Sequence, residues 1–89
     1  MPLFHIRREV GDVSEEELDA ASVRAILCAP QFAGLKWQRS YWDRQAGRVD
    51  CYYEAASAQD LFDHARVARI PCDEVEEVLE LLPETYVHG

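Results

Sequence analysis

The sequence predicts one α+β domain whose strands and helices follow in the order βαββαβ. Three observations carry this prediction: a capped helix near the N-terminus, an aromatic hairpin in the middle of the chain, and a second capped helix directly after it. The 89 residues, 48% of them hydrophobic, suffice for one packed core and leave no room for a second domain. We therefore expect residues 1–89 to form a single domain with a loose tail from residue 83.

The charge balance argues against two classes of partner. The chain has 9 Lys and Arg residues against 17 Asp and Glu residues, which gives a net charge of −8. Proteins that bind nucleic acid neutralise phosphates with basic side chains, and anionic membrane surfaces attract the same side chains. We therefore expect neither a nucleic acid nor a membrane as partner.

The N-terminal residues show no targeting segment, because no long apolar run follows the charges of residues 1–8. No stretch of roughly 20 apolar residues follows either. Cys28, Cys51 and Cys72 are odd in number and far apart in the sequence, so they fit neither a disulfide framework nor a zinc site built on a Cys-x-x-Cys pair. These features predict a cytoplasmic protein with reduced thiols.

The first strand is predicted over residues 2–10, where apolar side chains recur without a helix cap before them. Strand side chains alternate between two faces. The two faces carry Phe4, Ile6 and Arg8 on one side, and Leu3, His5 and Arg7 on the other.

The first helix has a strong start signal, because Ser14 and Glu17 form the pattern of a capping box. Side chains at helical spacing follow, and Pro30 and Gly34 end the element. The expected buried stripe consists of Leu18, Ala21, Ala25 and Cys28, widened by Ile26 and Leu27.

The hairpin consists of strands predicted over residues 35–43 and 48–55, joined by a short turn that contains Gly47. Strict alternation places Leu35, Trp37, Arg39, Tyr41 and Asp43 on one face of the first strand, and Lys36, Gln38, Ser40 and Trp42 on the other. In the second strand, Val49, Cys51, Tyr53 and Ala55 share one face.

The second helix begins after Ser57, and Pro71 disfavours helical geometry at the residue before it. Its expected buried stripe is Leu61, Phe62, Ala65 and Arg69. The last segment fits a helix by its apolar period, but three strands and two helices in this order need a fourth strand to close the sheet. We therefore predict a helical turn over residues 73–75 and a strand over residues 76–82.

This order of elements is that of the ferredoxin-like fold, a four-stranded antiparallel sheet with two helices on one face. The other face would expose tryptophan and tyrosine side chains of the hairpin, and an apolar patch of that kind usually marks an interface. A homodimer in which two such sheets pack face to face, a dimeric α+β barrel, would cover it.

Short motifs along almost the whole chain resemble a known family of small nickel-binding proteins with a ferredoxin-like fold. The motifs are Met1-Pro2 with Phe4, Glu16-Glu17-Leu18, Trp37 with Ser40-Tyr41, Cys51 with Tyr53 and Ala55, His64-Ala65-Arg66, and Pro71 with Asp73. The resemblance implies a cytoplasmic homodimer that binds a divalent transition metal, nickel, for sequestration or sensing. The candidate metal ligands are His64, Cys51 and His5, since imidazole and thiolate both suit such metals.

Two arginines depart from the family pattern. The family often has an acidic residue at the position of Arg7, and His or Glu at the position of Arg39. A guanidinium has no lone pair to offer a metal, but it binds carboxylates and phosphates well. Arg7 and Arg39 are therefore candidates for holding a small anionic ligand instead.

Two other functions remain open at this point. Dimeric α+β barrels include cofactor-free cyclases and monooxygenases, in which Trp37, Tyr41 and Tyr53 would line a cavity and His64 would act as acid and base. In a plain interaction module, the same aromatic side chains would only form an interface. A cavity of roughly 300 Å³ or more that His64 enters would favour the enzyme.

Overall fold

A computed structural model of the protein describes residues 1–87 and confirms the predicted order of elements. His88, predicted from the sequence to lie in the tail, is outside the described residues. The elements are β1 (Leu3–Glu9), α1 (Glu15–Cys28), β2 (Lys36–Asp43), β3 (Arg48–Glu54), α2 (Ala58–Ala68) and β4 (Glu74–Val78), with short 3-10 turns at Ala29–Gln31 and Pro83–Thr85.

The four strands form one antiparallel sheet in the order β2-β3-β1-β4, which is the ferredoxin-like arrangement. Both helices pack on the same face, which we call the helix face. Its core consists of Phe4, Ile6, Leu35, Val49, Cys51, Tyr53, Ala55 and Leu61. The opposite face, which carries His5 and Arg7 of β1, is called the open face. No helix within residues 1–87 is long and apolar enough to cross a bilayer.

The predicted faces of β2 are wrong because the strand contains a β-bulge. Its pairing with β3 passes from Trp37 opposite Tyr53 to Arg39 opposite Tyr52, so Gln38 is an extra residue. An extra residue reverses the alternation beyond it. Trp37, Ser40 and Trp42 therefore share the helix face, whereas Arg39 and Tyr41 lie on the open face. The exposed patch predicted from the sequence thus contains tyrosines and no tryptophan.

The final strand is confirmed, but it spans Glu74–Val78 and so begins and ends earlier than the predicted residues 76–82, and no helical turn precedes it. Hydrogen bonds to β1 fix its start, since the Asp73 amide donates to the Arg7 carbonyl (3.0 Å) and the Glu9 amide donates to the Asp73 carboxylate (2.7 Å). Val75 then pairs with Ile6 and Glu76 pairs with His5. These contacts require extended backbone where the sequence period suggested a helix.

The two helices are capped as predicted, and the capping box of Ser14 and Glu17 is present in full. Their buried stripes are narrower than predicted. In α1, Ile26 and Leu27 are 57% and 72% exposed, because this helix buries only a narrow strip around Ala25. In α2, Phe62 and Arg69 are exposed, and Arg69 ends the helix in the left-handed conformation with φ of 59°.

Candidate functional site

His64 lies in the core between the two helices and the sheet. Its side chain has no exposed surface, and its Nε2 atom lies 2.8 Å from the Ala25 carbonyl oxygen. A carbonyl only accepts, so Nε2 carries the proton and Nδ1 is left as a buried atom without a partner. Phe32 and Tyr53 pack their rings at 5.9 and 5.7 Å from the imidazole.

The surroundings of His64 favour the neutral imidazole. Burial lowers the pKa of His64 most strongly, and the positive charge of Arg8 lowers it further, although the bond to Ala25 acts in the opposite direction. Metal ions carry positive charge as well, so the same guanidinium disfavours a cation beside His64.

Cys51 also lies on the helix face and is 4% exposed. Its sulfur accepts a bond of 3.4 Å from Nε of Arg8. Arg8 itself is 5% exposed and shares its strand face with Phe4 and Ile6, as the alternation of side chains predicts. The sequence does carry a signal for Arg8, because it is a charged residue on the same strand face as the apolar Phe4 and Ile6. A charged side chain in that position is rarely buried unless it has a function or a partner.

His5 lies on the opposite side of the sheet. Its Nε2 atom is 2.7 Å from Oδ1 of Asp50, and both side chains are 24% exposed. A carboxylate accepts, so Nε2–H of His5 donates to Asp50, and the lone pair of a neutral His5 is then on Nδ1. The second oxygen of Asp50 accepts from Nε of Arg48 at 3.2 Å.

The three proposed metal ligands therefore do not form one site. Ile6 pairs with Cys51 and His5 pairs with Tyr52, so Cys51 and His5 point to opposite faces of the sheet. His64 lies on the same side as Cys51. Within residues 1–87, no three His, Cys, Asp or Glu side chains come together as a metal site.

Each of the two arginines proposed to bind an anion already has acidic neighbours. Arg7 contacts Glu74 through Nη1 at 2.8 Å and Glu9 through Nε at 3.2 Å. Arg39 lies 3.6 Å from Glu80, and both side chains are about half exposed. These carboxylates compete with any external anion at these two positions.

The aromatic residues proposed to line a cavity are divided between the two faces. Trp37 and Tyr53 stack on the helix face with ring centroids 6.2 Å apart, whereas Tyr41 lies on the open face and is 61% exposed. A pocket of about 210 Å³ lies between α1 and the helix face, with Trp37, Trp42 and Tyr53 in its wall. His64 does not line this pocket, so the pocket is not the cavity entered by His64 that would favour the enzyme.

A second depression of about 340 Å³ lies on the open face. Its walls are Leu3, Arg39, Tyr41, Tyr52, Val78, Leu79 and Glu80. The chain that follows β4 reaches over this end of the sheet, because Glu80 contacts Arg39 of β2. Leu79 remains 86% exposed there.

Comparison with known proteins agrees with this fold. A comparison with curated proteins gives no match. The crystal structure of SCO4226 from Streptomyces coelicolor A3(2) superimposes with a TM-score of 0.80 at 18% sequence identity, covering 90% of this chain and 99% of that one. At this identity the likeness shows the fold alone. The profile of the family described as nickel responsive protein SCO4226-like matches residues 4–78, from β1 to the end of β4. This chain therefore belongs to the SCO4226-like family of nickel responsive proteins.

Proposed function

We propose that the protein is a homodimer that binds a divalent transition metal, nickel first of all, for sequestration or sensing. The observation that carries the proposal is the hydrogen bond of 2.7 Å between His5 and Asp50 on the open face. Metal-binding histidines almost always donate their second ring N–H to a carboxylate or carbonyl group, which orients the ring and fixes the tautomer. Asp50 supports that role for His5 and leaves Nδ1 as the coordinating atom.

Glu76 is the candidate for a second ligand from the same chain. It pairs directly with His5 across β1 and β4, and its side chain is exposed. Directly opposed residues in an antiparallel pair have Cβ atoms roughly 4.5–5.5 Å apart. This spacing is short enough for the Glu76 carboxylate and the His5 ring to bind the same metal ion.

The alternative site at His64 and Cys51 is less suited to a cation. Both side chains are buried on the helix face, and Arg8 places a positive charge beside them. Asp50 and Glu76, whose carboxylates could offset the charge of a metal ion, lie on the other side of the sheet.

The second copy of the chain would complete the coordination. Transition metals bound by imidazole and carboxylate take at least four ligands, and one chain offers His5 and Glu76. A dimer through the open face would place the second copy's side chains over this pair. Exposed apolar residues at that end of the sheet support such an interface, among them Tyr41 and Leu79.

A cytoplasmic location is part of the same proposal. Cys28, Cys51 and Cys72 are all free thiols in the fold, as expected of a protein that stays in a reducing compartment.

The cofactor-free enzyme has weaker support. Its acid and base, His64, holds one ring nitrogen against Ala25 and lies outside the wall of the pocket that contains Trp37 and Tyr53. General catalysis needs a group within hydrogen-bond reach of the substrate.

Sedimentation velocity of tag-free protein tests the proposal, since a metal shared by two chains must shift the equilibrium towards the dimer. We expect nickel to lower the dimer dissociation constant of the wild type and to leave that of His5→Gln unchanged. A monomer that stays monomeric in nickel, or a wild type and a variant that respond alike, would refute the shared site.

A further inference from the structure

The pocket between α1 and the helix face has the character of a ligand site that is separate from the proposed metal site. It measures about 210 Å³, which is below the ~300–1,000 Å³ of sites for drug-sized molecules. Its wall is mainly apolar and includes Ala21 and Ala25 of α1 and both tryptophans, Trp37 and Trp42. A small and largely apolar molecule fits these dimensions.

Arg8 is the charged residue in this wall, and it is 5% exposed. Its Nη1 atom donates to the Pro71 carbonyl at 2.6 Å, and its Nε atom contacts the Cys51 sulfur. Its Nη2 atom is buried and has no partner. None of the ion pairs among the described residues involves Arg8.

The nearby weak acids do not supply the missing negative charge. Burial raises the pKa of Tyr53 to about 12, and burial also raises the pKa of the Cys72 thiol, so both groups are neutral near pH 7. The Tyr53 ring lies 5.8 Å from the guanidinium carbon, which compensates the charge only in part. A buried guanidinium without a carboxylate partner is unfavourable, and an anionic ligand would relieve it.

A second donor lies in the same wall. The indole Nε1 of Trp42 is buried and, like Nη2 of Arg8, has no partner. Ser40, also in the wall, accepts from Trp37 at 2.8 Å and keeps its own hydroxyl proton free to donate. The residues of this wall thus carry one fixed positive charge and a few hydrogen-bond donors among mainly apolar side chains.

We propose that this pocket binds a small apolar monocarboxylate, whose oxygens accept from Arg8 and Trp42 while its hydrocarbon part contacts α1 and the aromatic wall. A phosphate group is a poorer fit, because it brings up to two charges and more acceptor atoms than these donors can satisfy. The proposal does not depend on the metal site, which lies on the other face of the sheet.

Phenylacetate and its neutral analogue phenylacetamide test this proposal in the intact protein. The only two tryptophans of the chain both lie in the pocket wall, so intrinsic fluorescence reports binding directly. We expect a saturable change with phenylacetate and a dissociation constant for phenylacetamide that is about tenfold higher or more, since hydrogen bonds to a charged group are worth more than neutral ones. Equal affinities, or no saturable signal from phenylacetate, would overturn the proposal.

A matched pair of variants on α1 locates the binding without removing Arg8 from the core. Ala21 lines the pocket, whereas Ala20 beside it is exposed and does not. Ala21→Leu should fill the space and weaken phenylacetate binding about tenfold or more, and Ala20→Leu should leave it unchanged. Equal effects of the two substitutions would place the binding elsewhere and contradict the proposal.

Discussion

The Nε2 atom of His5 lies 2.7 Å from a carboxylate oxygen of Asp50, on the face of the sheet that the helices leave open. The two residues are brought together by the pairing of β1 with β3, in which Arg7 and His5 stand opposite Asp50 and Tyr52. This hydrogen bond fixes the histidine tautomer that a metal needs at Nδ1. The predictions on metal binding follow from it.

Asp50→Asn should weaken nickel binding by roughly 10- to 100-fold, because residues that orient a metal-binding histidine usually have effects of this size. An asparagine side chain can either accept a hydrogen bond from Nε2 of His5 or donate one to it. It therefore no longer favours the tautomer that leaves Nδ1 free for the metal. Competition titration with a coloured chelator measures the change. Asp12→Asn, in an exposed loop, is the control for the altered net charge and should bind like the wild type.

Glu76→Gln should also weaken nickel binding, since a neutral amide is a poorer ligand than a carboxylate. Glu77→Gln is its matched control. It makes the same change of charge one residue away, but Glu77 pairs with Phe4 and belongs to the other face of β4. Equal dissociation constants for nickel in the two variants would exclude Glu76 as a ligand.

Leu79→Ser should raise the dissociation constant of the dimer at least about tenfold, because each copy would lose a buried leucine from the interface. The side chain is 86% exposed in the single chain, so folding should be little affected. Analytical ultracentrifugation measures the dissociation constant. Leu27→Ser on α1, where the leucine is 72% exposed, is the control. If both variants dissociate to the same extent, the open face is not the interface.

The buried His64 should make the protein less stable in mild acid. The fold lowers the pKa of His64 from its usual value of 6.5. Below pH 6.5, His64 is therefore protonated more readily in the unfolded chain than in the folded chain. Above pH 6.5, protonation of His64 should not reduce the free energy of unfolding. As the pH drops below 6.5, the free energy of unfolding should decrease by up to about 1.4 kcal/mol per pH unit.

Urea denaturation of the wild type and of His64→Gln between pH 7.5 and pH 5 isolates this effect from that of the carboxylates. The free energy of the variant should depend less steeply on pH in the acid range. Parallel curves for the two proteins would show that His64 takes up its proton equally well in the folded and unfolded states.

Most of the fold could be predicted from the sequence, because caps, alternation and turn residues act locally. Ser14 and Ser57 both cap helices as expected. The bulge at Gln38 could not be predicted, since it depends on how β2 aligns with β3 and has no mark in the residue pattern. That single extra residue moved Trp42 to the core and Arg39 to the open face.

The candidate site was predictable in part. The sequence identifies His5, His64 and Cys51 as possible ligands but does not show that the sheet separates His5 from the other two. The role of Asp50 has no signal in the sequence, because its contact with His5 spans 45 positions along the chain. The missing partner of Arg8 becomes visible only when every contact of its guanidinium is known.

Calorimetric titration of tag-free protein with nickel, alongside His5→Gln and His64→Gln, tests the central claim most directly. Binding of micromolar affinity or tighter in the wild type, retained in folded His64→Gln and lost in His5→Gln, is the result that the proposed site on the open face predicts. Absence of binding heat in the wild type, or loss of binding in His64→Gln with retention in His5→Gln, would contradict it.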